Sequence, residues 1–371
     1  MKRLWVFAFI AISASFIFSV FKGPEDDVFQ NQFNEAYSIF ALNHPNDISF
    51  AGERMPLEQE DISERFDREL LVNTYWQSQT ILFLKKAHKY FPIIEPILKE
   101  EGIPDDFKYL AIAESGLANV VSPSGATGFW QIMKSTGKER GLIINEDVDE
   151  RYHLVKSTKA ACKYLNDAYE HFGSWTLAAA SYNMGITGLQ KQMNRQEVNN
   201  YYDLLLNSET ARYVFRIATI KEIISQPRKY GFQVREKDLY ELPPVRKVIL
   251  DSTVNNFADY AQQLGINYKI LKQYNPWLRQ SSLDNKVSWA YSLDIPEQGY
   301  FTSKNTVQTM AQALHEAVTV EYDTLLIAVD KKQDLKTLAQ EYGVSLEELI
   351  LWNIESIDFK VKKGQELKIL N

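Results

Sequence analysis

The 371-residue chain holds a single cysteine, Cys162, and five scattered histidines. One thiol excludes an intrachain disulfide framework and any zinc site built from several cysteines, and the histidines show no metal-ligand spacing. Basic clusters are missing too. No Lys/Arg run is longer than a pair, and 41 basic against 48 acidic side chains leave a formal charge of -7. That balance opposes a polyanionic partner, so nucleic acid is set aside as a ligand. What the chain does have is apolar and aromatic mass: 45% hydrophobic and 13% aromatic residues, including 20 Tyr and 7 Trp. Such a chain folds rather than staying disordered. At roughly 150 residues per domain it suggests two or three domains.

Lys2 and Arg3 precede an uncharged, largely apolar run from Leu4 to Phe21, 18 residues long. A secretory h-region is usually shorter than this and a spanning helix usually reaches about 20 residues. Residues 1–22 are therefore expected to be a signal peptide or an N-terminal membrane anchor, with the chain exported in either case. No cysteine follows the run, which excludes a lipid-modified N-terminal cysteine.

Residues 23–65, with Pro24, Pro45 and Pro56, read as a polar linker with short ordered pieces. From Phe66 to Phe91 apolar residues recur at helical spacing until Pro92. Helices are then predicted over Ile93 to Glu101, Pro104 to Ser115, Ser157 to Phe172, Trp175 to Met184 and Glu209 to Ile224. They are punctuated by Gly102, Gly116, Gly173, Gly185 and Pro227. Ser174 is a natural cap for the Ala-rich Trp175 helix. With hardly an alternating segment in it, 66–230 reads as one mostly α domain.

Beyond Pro243-Pro244 strand-like runs appear, together with an internal repeat. Ala261-Gln262-Gln263-Leu264-Gly265-Ile266, followed by Leu271, Tyr274 and Asn275, returns 78 residues later. The second copy is Ala339-Gln340-Glu341-Tyr342-Gly343-Val344, followed by Leu349, Trp352 and Asn353. Each copy predicts a small β-α-α-β unit, over 246–296 and 325–370.

Glu114 lies at the end of an apolar helix, after Leu110, Ala111, Ile112 and Ala113 and before Ser115-Gly116. Turned to solvent it is an ordinary helix residue. Turned into a cleft, its charged form is desolvated and it can hold a proton near neutral pH. Downstream come the Gly-rich turn Ser122-Pro123-Ser124-Gly125-Ala126-Thr127-Gly128-Phe129-Trp130-Gln131 and, closing the Ala-rich helix, Ser181-Tyr182-Asn183-Met184-Gly185.

The pair Glu114-Ser115, the segment Gly128-Phe129-Trp130-Gln131 and the segment Ser181-Tyr182-Asn183, in this order, resemble the lysozyme-like lytic transglycosylases of the murein-degrading class. The resemblance is closest to the membrane-bound lytic murein transglycosylase D type. It continues through Val148-Asp149-Glu150-Arg151, and in Glu209-Thr210-Ala211-Arg212-Tyr213-Val214 the family places a further cleft tyrosine. Ser181 departs from the family's alanine without touching the Tyr or the Asn. The second repeat resembles a LysM module that binds N-acetylglucosamine glycans, with Gln333-Asp334-Leu335 replacing the usual Gly-Asp-Thr turn; the first would be a degenerate copy.

The implied fold is mainly α, a lysozyme-like α-helical catalytic domain followed by small β-α-α-β LysM-like modules. The implied activity is cleavage of peptidoglycan glycan strands in the cell envelope (periplasm), with no cofactor, no metal and possible membrane attachment through the N-terminal segment. Glycosidases normally need two carboxylates, and the motifs supply one. In the family the substrate provides the rest, through its N-acetyl group and its 6-hydroxyl, so Glu114 would act as acid and then as base. Gln131, Tyr182 and Asn183 would orient the sugar through neutral hydrogen bonds, Tyr213 would bond near Glu114 or cover a sugar face, and Ser115 would orient the carboxyl or touch substrate. A hydrolytic muramidase and a non-catalytic wall-binding scaffold stay open as alternatives. Cys162 reads as a packed residue, Asp149 and Arg151 as ties for the loop after Gly141, and Trp277 and Trp352 as module core with edges able to stack on sugars.

Overall fold

The structure, a computed structural model, describes residues 26–28, 31, 39–285, 290–297, 324–328, 333–342, 344, 349, 360–361 and 366–370. The apolar run Leu4 to Phe21 lies outside these residues, as do Trp352 and Asn353 of the second repeat. No helix among the described residues is long and apolar enough to cross a membrane. The chain divides into two compact units, 1–255 with 272–297, and 256–271 with 298–371.

The first unit is mainly α. A two-stranded hairpin, β1 (Ser49–Phe50) and β2 (Glu53–Arg54), precedes α1 (Glu60–Tyr75), α2 (Gln77–Glu100), α3 (Lys108–Ser115) and the short α4 (Lys134–Glu139). Then come α5 (Leu154–Phe172), α6 (Trp175–Met184), α7 (Ile186–Gln196) and α8 (Ser208–Ser225). Strand β3 (Val245–Leu250) pairs antiparallel with β4 (Tyr291–Pro296), from Val245 opposite Pro296 to Leu250 opposite Tyr291. Between them in sequence lie α9 (Phe257–Gln263), which belongs to the second unit, and α10 (Tyr268–Tyr274), which the division crosses. In the second unit β5 (Thr324–Ala328) pairs antiparallel with β8 (Glu366–Leu370), β6 (Gln333–Asp334) pairs with β7 (Lys360–Val361), and α11 (Leu335–Glu341) follows β6.

Helix α6 is buried along most of its length. Ala178, Ala179, Ala180 and Ser181 are fully buried, as expected of a helix apolar all round. Its start is fixed twice over. The Ser174 hydroxyl accepts from the Leu177 N–H, and the Glu53 carboxylate accepts from the Trp175 and Thr176 N–H groups at 2.6 and 2.9 Å. An anion on unsatisfied N–H groups at a helix start is a favourable electrostatic pairing. It also corrects the reading of 23–65 as linker: from Ile48 onward this stretch belongs to the domain, with Ile48, Phe50, Met55 and Ile62 in the core. Their irregular spacing around Pro45 and Pro56 concealed them.

The single helix expected over Phe66 to Phe91 is two, broken at Trp76, and Pro92 does not end the second. Pro92 and Pro96 both lie inside α2. Each proline leaves a carbonyl one turn back without its helical donor. Both prolines and His88 are exposed, so the carbonyls of His88 and Pro92 sit on the wet face. The opposite face buries Phe91, Ile94, Ile97 and Leu98. Helix α3 begins later than expected, after a 3-10 turn over Asp105–Phe107, and ends where Gly116 takes a left-handed φ of 59°. Helix α8 starts at an Asn207 cap whose Oδ1 accepts from the N–H groups of Glu209 and Thr210.

Candidate active site

Four elements deliver the candidate residues: the C-terminal turn of α3, the loop 122–133, and the facing turns of α6 and α8. Glu114 sits in the last turn of α3. Tyr213, one turn into α8, donates its phenolic hydrogen to Glu114 Oε1. Loss of hydration pushes the Glu114 carboxyl up to about 7; the Tyr213 hydrogen bond and the Arg216 charge pull it down, and the exposed Glu209 pushes it further up. The Tyr213 phenol is raised well above its usual value by burial and by the adjacent carboxyl, so it stays a donor.

Tyr182, delivered by α6, donates to the Trp130 carbonyl at 2.8 Å and feels the Glu114 charge, so it lies beside the carboxyl and inside the motif loop. Asn183 does not cap its own helix. Its Oδ1 accepts from the Thr210 hydroxyl at 2.7 Å, which ties the end of α6 to the first turn of α8. Gln131 has a left-handed φ of 45°, and its amide nitrogen bonds the carbonyls of Gly128 and Val120 at 2.8 and 3.0 Å. A non-glycine residue in that region is strained, and these two bonds hold it there. Any ligand contact by Gln131 falls to its Oε1.

Ser115 is held by backbone groups. Its hydroxyl reaches the Phe129 carbonyl at 2.7 Å and the Ala111 carbonyl at 3.1 Å, and it accepts from the Ala118 N–H at 3.3 Å. All three partners are backbone groups, so Ser115 pins the motif loop to the end of α3 and is not bonded to the Glu114 carboxyl.

Arg151, read only as a loop tie, has a larger part. Its guanidinium pairs with Asp149 at 2.7 and 3.0 Å, and its Nη1 donates to the carbonyls of Gly125 and Ile132 at 3.0 and 3.1 Å. The buried pair thus clamps both arms of the Gly-rich turn, while Asp149 also bridges to Ile144 in the segment after Gly141. The Asp149 N–H in turn donates to the Trp277 carbonyl at 2.9 Å, and the Arg279 N–H to the Asp147 carbonyl at 2.7 Å. The Arg279 guanidinium lies 3.9 Å over the Tyr152 ring. Residues 272–297 are thereby fastened to the loop that carries the clamp. Trp277 is 3% exposed, which makes it packing and removes it as a sugar platform. Cys162 is buried, and burial pushes its thiol up to about 12, leaving it inert.

A carboxyl raised to about 7 and bonded to a phenol can give and take a proton near neutral pH. Residues 91–204 match the family model of the transglycosylase SLT domain, and residues 246–299 match that of the soluble lytic transglycosylase C-terminal LysM-like domain. The two matches fall in that order along the chain. It is 27% identical over 334 residues to membrane-bound lytic murein transglycosylase D of Escherichia coli (strain K12), covering 86% of this chain and 72% of that protein. Among solved structures, the 70 kDa soluble lytic transglycosylase of Escherichia coli aligns with 43% of this chain and 28% of its own. The identity is 18% and the TM-score 0.34.

Proposed function

We propose that this protein is a peptidoglycan lytic transglycosylase that breaks the MurNAc-GlcNAc β-1,4 bond without water and leaves a 1,6-anhydromuramoyl end. The observation that carries the reading is Glu114: a carboxyl desolvated enough to keep its proton near neutral pH, yet held in place by a neutral phenol. The SLT domain and the similarity to a lytic murein transglycosylase support the same class.

With Tyr213 on Oε1, the Glu114 proton is carried on Oε2. It passes to the bridging oxygen as the C1–O bond breaks, and positive charge gathers at C1. The acetamido oxygen of the same sugar meets that charge. The Tyr213 hydrogen bond strengthens as Glu114 becomes a carboxylate, because bonds to ionised acceptors are roughly twice as strong as neutral ones. The carboxylate then takes the proton of the 6-hydroxyl while that oxygen bonds to C1. Glu114 ends protonated and no water is consumed. Tyr182, Asn183 and Gln131 Oε1 orient the sugar and its acetamido group, and Ser115 acts as a positioning residue through the Phe129 carbonyl.

The substrate lies outside the cytoplasmic membrane, which assigns the protein to the cell envelope. Export through the segment 1–22, with the chain either cleaved or anchored there and not lipid-modified, belongs to the same proposal. Glycan retention by the LysM-like modules does as well. The decisive experiment is mass spectrometry of the fragments released from purified sacculi. Anhydro ends support the proposal, whereas ends heavier by one water make the protein a hydrolytic muramidase. Release of fragments at the parental rate by the Glu114→Gln variant would overturn the acid/base role.

A further inference from the structure

Tyr213 is flanked on α8 by two arginines, Arg212 directly before it and Arg216 one turn after it. Both border a pocket of 290 Å³ between α1, α3 and α8, which reaches Ile112 and Ala113, directly before Glu114. A free guanidinium there would disarm the acid. An opposite charge within about 4–6 Å holds a carboxyl down by roughly one to three units, enough to strip Glu114 of its proton at neutral pH. Yet the Arg216 charge pulls on Glu114 less than burial, the Tyr213 bond or Glu209 does.

The restraint comes from α1. Glu69 is 2% exposed, and its carboxylate bonds Arg68 and lies 3.5 Å from Arg216 Nε and 3.9 Å from Arg212 Nε. Arg212 Nε has a second hold, donating to the Ser208 carbonyl at 3.0 Å. For Arg216, Glu69 is the one carboxylate within 4 Å among the described residues. Glu69 is itself fixed from both sides. Arg65, four residues earlier, donates to the Ala211 carbonyl at 2.6 Å; Asn73, four residues later, donates to the Glu69 carbonyl at 2.8 Å and to the Thr219 hydroxyl at 3.3 Å. Residues four apart share one helix face, so this face of α1 is stitched to α8 along its length.

We propose that Glu69 is a positioning residue of the active site, which holds the Arg216 guanidinium on the α1 side of the pocket and so keeps it off Glu114. The inference rests on the proposed function, because it takes Glu114 as the acid. No other group nearby can stand in. Facing Glu114 are Tyr213, Glu209 and Arg216 from α8 and Tyr182 from α6. Lys86 of α2 is bonded to the Gly116 carbonyl at 2.8 Å, and the loop 122–133 carries no charged side chain. Facing Glu69 are Arg68, Arg212 and Arg216, while α2 and α3 bring Phe83, Ile112 and Ala113, none of which titrates. Burying a carboxylate is costly, and packing alone would be served by an apolar side chain like those of this wall.

The test is the pH profile of kcat/KM for the full-length protein on solubilised glycan strands, since its alkaline limb reports the acid of the free enzyme. E69Q keeps the shape and releases Arg216, and its alkaline limb is expected to fall by about one unit. Activity at pH 5 then stays close to the parent while activity at pH 8 drops about tenfold more. In the E69Q/R216Q double variant the limb returns to within a few tenths of a unit of the parent, because the intruding charge is gone. E69D, one methylene short of the guanidinium groups, falls between and carries the test should E69Q not fold. An unmoved limb in every folded variant, a loss that is equal at all pH values, or a double variant as displaced as E69Q would each overturn the proposal. Full activity in Glu114→Gln is instead a failure of the proposed function, so the two failures are distinguishable.

Discussion

Tyr213 and Glu114, 99 residues apart in sequence, share a hydrogen bond between helices α8 and α3. The bond favours the carboxylate and burial favours the acid, and burial is the larger effect, so the carboxyl is left at about 7. Replacing Tyr213 by Phe removes the one contribution among these that comes from a hydrogen bond. The Glu114 carboxyl then rises further, and the alkaline fall of kcat/KM moves to higher pH. Because the carboxylate formed during turnover also loses its donor, kcat drops about tenfold or more. A pH–rate profile of Tyr213→Phe checks both. A lower kcat with an unmoved alkaline limb would show that Tyr213 acts on the sugar and not on the carboxyl.

The raised Glu114 carboxyl also costs stability, with a definite sign. An acid whose folded pKa lies above its unfolded value holds extra protons in the native state between the two. Its contribution is fully present below about 4.5 and is lost as pH rises through about 7. Glu114→Gln keeps the shape and removes the titration. The variant is expected to gain on the parent as pH rises from 5 to 8, by up to about 3 kcal/mol on the two-and-a-half-unit displacement. Urea melts at the two pH values measure it. A constant difference between the proteins would mean that the carboxyl titrates normally.

Glu209 is the other carboxylate whose charge reaches Glu114. If the protein hydrolysed its substrate, Glu209 is where a second carboxylate would be sought, since water must be activated by a base. It stands exposed in the first turn of α8, where a negative charge favours the helix start. Under the proposed mechanism, Glu209→Gln should keep activity within about threefold at pH 6 and shift the alkaline limb slightly down, because a charge that raises the carboxyl is gone. A loss of a hundredfold or more, of the size general-base removal produces, would install Glu209 in the chemistry.

Local chemistry made much of the fold legible. Ser174 and Gly173 mark the junction of α5 and α6 in the sequence as in the structure, and Gly116 ends α3 as its position suggested. What escaped depends on partners far away in sequence. Glu53 caps α6 from more than 120 residues upstream, so nothing near it distinguishes it from a linker glutamate. Pro92 signals a helix end, and only the burial of Phe91, Ile94 and Ile97 on the opposite face outweighs it. In the candidate site, Glu114 stands out in the sequence through its apolar neighbours and the order of three motifs. Ser115 and Asn183 bond to Phe129 and Thr210, contacts that no spacing rule names.

The Gly-rich loop offers the sharpest structural test. At Gly128 φ is 85°, and a Cβ there would lie 2.1 Å from the Arg151 carbonyl oxygen and 2.9 Å from its carbon. Both partners are backbone, and Arg151 is itself held by Asp149 and by the carbonyls of Gly125 and Ile132, so neither side can yield cheaply. Gly128→Ala therefore combines a left-handed φ with a backbone collision, and is expected to cost about 3 kcal/mol or more. The lost close approach displaces Gln131, Trp130 and the carbonyl that Tyr182 binds. Activity should consequently fall even at temperatures where the variant is folded. Gly125→Ala is the control: its φ of 86° is equally unfavourable, but nothing lies within 4 Å of the added carbon. Its cost should stay near about 1 kcal/mol. Equal melting temperatures for the two variants would show that the Arg151 carbonyl does not limit the loop.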